Sequence, residues 1–478
     1  MPEKEKRGST SLALKAGFWY VLSNFLIKGI AFITTPIFSR LMSEAQYGEF
    51  SNFASWQSTL LIISGAELYS TLNRAYYDHT DCYNDYVSTI TFLGCGFTVA
   101  LYLAFLLCKD AILRVVAIPP QYIHVLFLCL FFLVCKQTFM EREKTLYRYK
   151  SVAVLSMSSL VIPTVIATVL VATSPESQRL GARIYGIGIP TAAIGAFCAA
   201  SIFKQSRRFN WSQCKYAVKL AIPLLVHYLT TYLLTSSNTI VTKSVLSAEI
   251  AAMVSITTSA VHILTILLQA VSGAVTVWLM DNLKQENYTA LRRNLLIYVA
   301  GISAVAISVI LVGPELIWIL GDTKYAQAAT LLPGMVAAVT IQSITTVFTI
   351  ILTYKKRVVG TAVFTGITAV VAVVAKVLLL PAYGVQILPW INIAAFGLLF
   401  FCNYVLVCKH GYSNVINVKG FCGCVLLICL VVLVANWLYG QLMIRYGLIA
   451  LAAVMVLIVV YIKRELVMNL LKKKLHKE

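Results

Sequence analysis

The stretch LALKAGFWYVLSNFLIKGIAFITTPIFSRLMSEAQYGEF, residues 12–50, decides the fold class. Its core, Gly17 to Phe38, has the length of a bilayer-spanning helix, about 20 residues. One cation, Lys28, stands near its middle. A charge at that depth is costly in hydrocarbon and normally faces a protein or water-filled interior. At helical spacing Gly17, Asn24, Lys28, Ala31 and Thr35 share one face, while Phe, Ile, Leu, Val and Trp fill the others. A helix that is oily on most sides and polar on one stripe lines something wet. The remaining chain is expected to supply further helices around the same interior.

Composition agrees with that reading. Of 478 residues, 59% are hydrophobic and 12% charged, whereas a soluble domain carries about 25% charged residues. Apolar runs of about 20 residues recur from end to end, so the expected fold class is all-α: a polytopic membrane protein with about 14 spans. The N-terminal MPEKEKRGSTS does not read as a cleavable signal, because the apolar run behind it is too long and lacks a small-residue cleavage site. A formal charge of +20 would suggest nucleic acid in a soluble protein. Here the cations sit mainly in short loops, where orientation in the membrane accounts for them, and no nucleic-acid-binding motif is present. The cysteines lie mostly in apolar runs and read as small hydrophobes. Cys422-x-Cys424 has neither the spacing nor the histidine partners of a zinc site, and no metal or other cofactor is expected.

With the N-terminus inside, the cytoplasmic segments collect Arg142, Lys144, Arg148 and Lys150, then Lys204, Arg207, Arg208 and Lys215, then Lys355, Lys356 and Arg357. The opposite side holds scattered cations, among them Arg40, Arg179, Arg183, Lys243 and Lys324. This asymmetry places both termini in the cytoplasm, and the terminal KRELVMNLLKKKLHKE reads as a basic amphipathic tail against anionic lipid. External loops are short, none above about 15 residues, which leaves no folded external domain to house an active site. No paired-carboxylate, HExxH or nucleophile motif appears in them, so the protein is not expected to be an enzyme.

FSRLMSEAQYGEFSNFASWQS (38–58) and TKSVLSAEIAAMVSITTSAVH (242–262) form a weak internal repeat: a span ending near a cation, a Ser-Ala-Glu-type turn, then a span running back. The expected division is an N-lobe of six spans (1–203), a cytoplasmic connector (204–216), a C-lobe of six spans (217–408), and two extra spans with the basic tail (409–478). Repeated halves with a site between them are a common transporter plan.

Polar stripes at helical spacing mark candidate lining residues. The second span offers Glu67, for which pairing with Arg74 is the plain alternative. The seventh carries His227 and Asn238, the eighth His262 and Gln269, the tenth Gln342, and the eleventh ends its threonine stripe on Lys376. With Lys28 and Asn24 these residues predict a wet, hydroxyl-rich, net cationic lumen. Each stripe also reads as interhelical glue. Cationic chemistry suits a phosphate bearing sugars and suits a hydrophobic drug cation poorly.

At PIFSRLMSEAQYGEF (36–50) the chain resembles the polysaccharide-transporter family of lipid-linked oligosaccharide flippases, relatives of the lipid II flippase and the multidrug-and-toxin exporters. KLAIPLLVHYLTTYLLTSSNTIV (219–241), ILGDTKYAQAATLLPGM (319–335) and KVLLLPAYGVQ (376–386) are similar to that family's seventh span, its loop into the tenth and its eleventh-span exit. The resemblance implies a bacterial inner-membrane flippase. It would move an undecaprenyl-diphosphate-linked oligosaccharide of the O-antigen or capsule kind between leaflets by alternating access. Its implied partners are that lipid-linked oligosaccharide, membrane lipids, a polysaccharide polymerase and a chain-length regulator. Proton, sodium or no ion could drive it. The family's seventh span usually ends in an Asp-Arg pair where this chain has Asn238-Thr239, and a frequent Asn in the eleventh span is Lys376 here, expected to add positive charge to the lumen. The alternatives are a drug/cation antiporter on the same scaffold, which needs an acidic lumen and has only Glu67 at mid-span, and a membrane-embedded polysaccharide polymerase.

Overall fold

The computed structural model describes residues 32–355 and 358–462, which are helical with short turns and, among the described residues, contain no strand. The long helices in chain order are α1 (32–41), α2 (Glu44–Gly65), α3 (Tyr83–Leu107), α4 (Ile123–Thr145), α5 (Tyr149–Thr173), α6 (Arg179–Phe203), α7 (Trp211–Val245), α8 (Ala248–Lys284), α9 (Tyr288–Leu311), α10 (Leu332–Tyr354), α11 (Val358–Tyr383), α12 (Leu388–Lys409), α13 (Val418–Gly440) and α14 (Leu442–Ile462). Among the described residues, 10 helices are long and apolar enough to cross a membrane, and α7 makes an eleventh span bent by 48° between Thr230 and Tyr232. The others are α1, described from residue 32, α2, and α14, whose apolar stretch is scored over Leu442–Leu451. This is the all-α polytopic fold that the apolar runs predict.

Two irregularities shape the bundle. The second span stops where Ala66 and Glu67 both take left-handed backbone, with φ of 45° and 52°, and resumes as the short helix Leu72–Asp78. Non-glycine residues hold that conformation only where surrounding contacts over-determine it. The bend in α7 falls beside Thr230, whose hydroxyl donates back to the Val226 carbonyl at 2.9 Å, a side-chain bond that loosens the helical ladder.

Helices α2 to α6 pack mutually, chiefly α4 on α6, α5 on α6 and α3 on α4. Lipid supplies no hydrophobic force between helices, so small residues that let backbones approach carry the packing. Gly195 of α6 lies where a Cβ would come within 2.3 Å of the Phe132 carbonyl oxygen on α4. A second group centres on α10, the most buried span at 72%, against which α8, α9 and α12 pack, with α7 on α11 and α11 on α12.

The last two helices lie outside this group: α13 on α9 and α10, α14 on α9 and α13. A charged staple fixes them. Arg445 of α14, 2% exposed, is bonded to Glu315 of the short helix Gly313–Gly321, Tyr446 donates to the same Oε1 at 2.8 Å, and Tyr439 donates to the Ile310 carbonyl at 2.7 Å. Removing one partner of such a pair strands the other, a loss of about 3 kcal/mol when buried. Glu315 is partly exposed (side chain 32%), so about half of that is expected for Arg445→Ala. Thermal unfolding of the purified protein checks this, and an unchanged midpoint would mean that packing alone holds the pair of helices.

Candidate functional site

The two repeated turns of the sequence meet in space. Ser43 caps α2 in a reciprocal box with Gln46, and Ser247 caps α8 by accepting from the Ile250 N–H. The capped starts lie against each other, so closely that a Cβ on Gly48 would stand 1.7 Å from the Ala248 carbonyl oxygen. Around this point the two groups are sewn together. Lys243 pairs with Glu49 at 2.5 Å, Ser39 donates to the Leu320 carbonyl at 2.6 Å, and Lys324 donates to the Met42 carbonyl at 2.8 Å. Tyr47 packs on Tyr325 with ring centroids 6.1 Å apart. We call this the seam.

Beneath the seam sits a cation that the sequence counts among those scattered on the external side. Arg183 of α6 is 7% exposed. Its guanidinium lies 3.7 Å from the ring centre of Phe50, 4.0 Å from that of Phe38 and 4.9 Å from that of Tyr47. No carboxylate pairs with it among the described residues. The sequence signal was its place a full turn inside a helix of small and aliphatic residues.

At the other end the link between groups runs through the start of α7. Tyr216 donates to Asp78 at 2.6 Å, Arg74 bonds the same carboxylate oxygen at 2.8 Å, and His79 packs between Tyr86 and Tyr216. The two hydrogen bonds, the tyrosine's first, hold the Asp78 carboxyl below its ordinary range. Ala217 and Ala221 join the apolar cluster of Leu68, Leu72, Tyr86 and Ile90. The first half of α7 thus packs with the N-terminal group although its second half packs with α11.

Within the second group a cavity of about 150 Å³ opens between α7, α8, α10 and α12. Three of the predicted residues meet there, Asn238, His262 and Gln342, together with Thr235, Thr258 and Thr265. Asn392 of α12 joins them and was missed by the sequence reading, because it stands alone in an apolar helix start with no stripe to mark it. Asn238 is 6% exposed and its Oδ1 accepts no hydrogen bond. No charged side chain lines the cavity, among the described residues. A larger groove of about 640 Å³ between α5 and α6 is lined by residues such as Val154, Ile162, Ile189 and Phe197, and reads as a lipid-facing surface.

The other predicted residues fall elsewhere. Gln269 lies two turns along α8 from His262 and is exposed. Glu67 is 3% exposed in the break of the second span, accepting from Tyr69 at 2.8 Å and Ser70 at 2.9 Å. The alternative reading, a pair with Arg74, is not made either, since Arg74 goes to Asp78. Lys376 does not reach the cavity wall: it is 0% exposed, bonded to Ser237 on the flank of α7. The charge it was expected to give the lumen is sequestered here, because the Nζ is held between the Ser237 hydroxyl and the Leu234 carbonyl, out of reach of solvent. Lys28, Asn24 and the side chain of His227 lie outside the described residues.

A sequence profile of the family described as polysaccharide biosynthesis protein matches residues 13–279, more than half of the chain. The chain belongs to that family. No curated protein matches the sequence. Among solved structures, this polysaccharide biosynthesis family member is similar to the lipid II flippase MurJ in an inward closed conformation, with a TM-score of 0.70, 11% identity, and coverage of 93% of this chain and 99% of the other. It is also similar to a multidrug resistance MATE family transporter of the MOP superfamily. The inward-facing form gives a TM-score of 0.61 at 12% identity, covering 81% of this chain and 95% of that one. The outward-facing form gives 0.55 at 12%, covering 83% and 96%. At such identities the likeness is one of fold.

Proposed function

We propose that the protein is a flippase carrying an undecaprenyl-diphosphate-linked oligosaccharide unit from the cytoplasmic to the periplasmic leaflet of a bacterial inner membrane. The two groups act as N- and C-lobes, divided as the sequence suggests, and rock about the seam. The positive-inside distribution assigns the seam to the periplasmic side, so in this state the groups are closed on that side. Lys28 neutralises diphosphate in the cleft, aided by Asn24, while the isoprenoid tail stays in lipid. Asn238, His262, Gln342 and Asn392, with His227 and Gln269 along the same faces, receive sugar hydroxyls.

The observation that carries this reading is the C-lobe cavity: among the described residues no charged side chain lines it, its largely apolar wall is broken by the amides of Asn238, Gln342 and Asn392, and Asn238 Oδ1 is buried there without a donor. A sugar hydroxyl is such a donor. A drug cation would need a carboxylate, and Glu67 is tied up by Tyr69 and Ser70 in the other lobe. A buried amide left unpaired costs about 1–3 kcal/mol, so sites built for hydroxyls discriminate steeply.

Deleting the gene should leave lipid-linked repeat units on the cytosolic leaflet, and the wild-type gene should clear them. Asn238→Leu and Gln342→Leu should each lower export about tenfold at equal protein level. Normal glycan export in the deletion strain would overturn the reading. Neighbouring genes for glycosyltransferases, a polymerase and a chain-length regulator are expected.

A further inference from the structure

Lys376 is a cation for which the proposed cargo has no use in this conformation. Its Nζ donates to Ser237 Oγ at 2.8 Å and approaches the Leu234 carbonyl at 3.4 Å, and the residue is 0% exposed. No carboxylate pairs with it among the described residues. Stripping a lone ammonium of water costs several kcal/mol unless a counter-ion repays it, and two neutral oxygens do not. A neutral amine fits: it donates to Leu234, and the Ser237 hydroxyl can donate in turn to its lone pair.

Among the described residues no carboxylate stands near it to balance a charge. On α7 the ionisable side chains to either side are Tyr228, Tyr232 and Lys243, the last held by Glu49. The neighbouring cavity residues of α10 and α12 are the neutral Gln342 and Asn392, and α8 presents His262 from across the cavity. Ser237 and Leu234 lie just beyond the bend of α7, so the lysine grips the segment whose direction differs between the two halves of that helix. Asn238, the next residue on α7, offers the orphaned acceptor.

We propose that Lys376 is the residue on which this transporter takes up and releases a coupling proton. It is a neutral amine in the state described here, and an ammonium in a state where the outer half of α7 parts from α11. The step balances as hydronium plus amine giving water plus ammonium, with cavity water as the proton source. The new ammonium then needs an acceptor, and Asn238 Oδ1 is one. Proton and sugar hydroxyl would compete for that oxygen, which makes the exchange an antiport. This last clause rests on the flippase reading; the proton site does not.

The test uses the full-length protein in lipid nanodiscs without cargo. Hydrogen exchange of the α7 segment 232–245, corrected for intrinsic rates, is followed between pH 5.5 and 8.5 as an experimental range. In the wild type, protection should fall about tenfold on acidification. Lys376→Met should be protected and flat with pH, and Lys376→Arg, which keeps its charge, flat and unprotected. An acid step on unbuffered protein should bind one proton fewer in Lys376→Met. The same pH profile in Lys376→Met as in wild type, or a flat wild type, overturns the proposal. Since no cargo is present, either result leaves the export test of the flippase reading untouched.

Discussion

Gly48→Leu is expected to abolish most export while the protein still inserts and accumulates. The reason is the geometry of the seam. A Cβ at residue 48 would stand 1.7 Å from the Ala248 carbonyl oxygen and 2.5 Å from its carbon. Those atoms are backbone at the first turn of a helix whose start is fixed by the Ser247 cap, so they cannot rotate away as a side-chain tip would. Relief requires the starts of α2 and α8 to separate. That separation strains the Lys243–Glu49, Ser39–Leu320 and Lys324–Met42 contacts together. Overpacking costs about 1–3 kcal/mol in a site that can relax, which shifts a two-state population about 5- to 150-fold. The state closed at the seam is thereby depleted and the cycle stalls with the cleft open on that side. A single cysteine placed at Thr265 should then react with an impermeant maleimide from the periplasm in Gly48→Leu and not in the parent. Wild-type export in Gly48→Leu would show that the seam never needs to close.

The parts of this architecture that were legible in the sequence are those set by the solvent. Hydrocarbon demands about 20 apolar residues per span, so α3 to α13 announce themselves. The second span reads from hydropathy as one continuous run, and its break at Ala66–Glu67 is flagged in the sequence by no more than the lone Gly65 before it. The repeat at 38–58 and 242–262 was visible as a repeat. That its two copies touch at Gly48 and Ala248 was not, because helical periodicity says which residues share a face and nothing about which faces meet. The same limit explains the site. The stripes on α7, α8 and α10 yielded Asn238, His262 and Gln342, since each has polar company at i+3, i+4 or i+7. Asn392 has none, and Lys376 had company pointing to the wrong neighbour. Arg183 counts by sequence with the external-side cations, because it stands at the very start of the apolar run that follows it. One turn separates a half-buried cation on the Leu41 carbonyl from one enclosed by three rings.

Arg183→Ala is expected to be the most damaging single substitution in the N-lobe. The side chain is 7% exposed and touches three aromatic rings, those of Phe38, Tyr47 and Phe50. These rings come from the end of α1 and the start of α2, the N-lobe's half of the seam, while Arg183 belongs to α6. It therefore ties the N-terminal group's half of the seam to α6. Removing a buried charge also removes its desolvation penalty, so the sign of the change has to be decided by what replaces it. Alanine leaves a void between three rings and forfeits cation–π contacts worth about 1–2 kcal/mol each when desolvated, a loss of about 3 kcal/mol after the penalty is returned. Methionine fills the void without the charge and should recover part of the stability. Lysine should not restore function, because a compact, strongly hydrated ammonium is a poor substitute among three rings for a weakly hydrated, planar guanidinium. Thermal unfolding of the purified variants together with export in cells checks the order arginine, methionine, lysine or alanine. If Arg183→Lys matches wild type in both, the rings merely surround a charge, and the tie between α6 and the seam must be sought in the Arg179 bond to the Leu41 carbonyl.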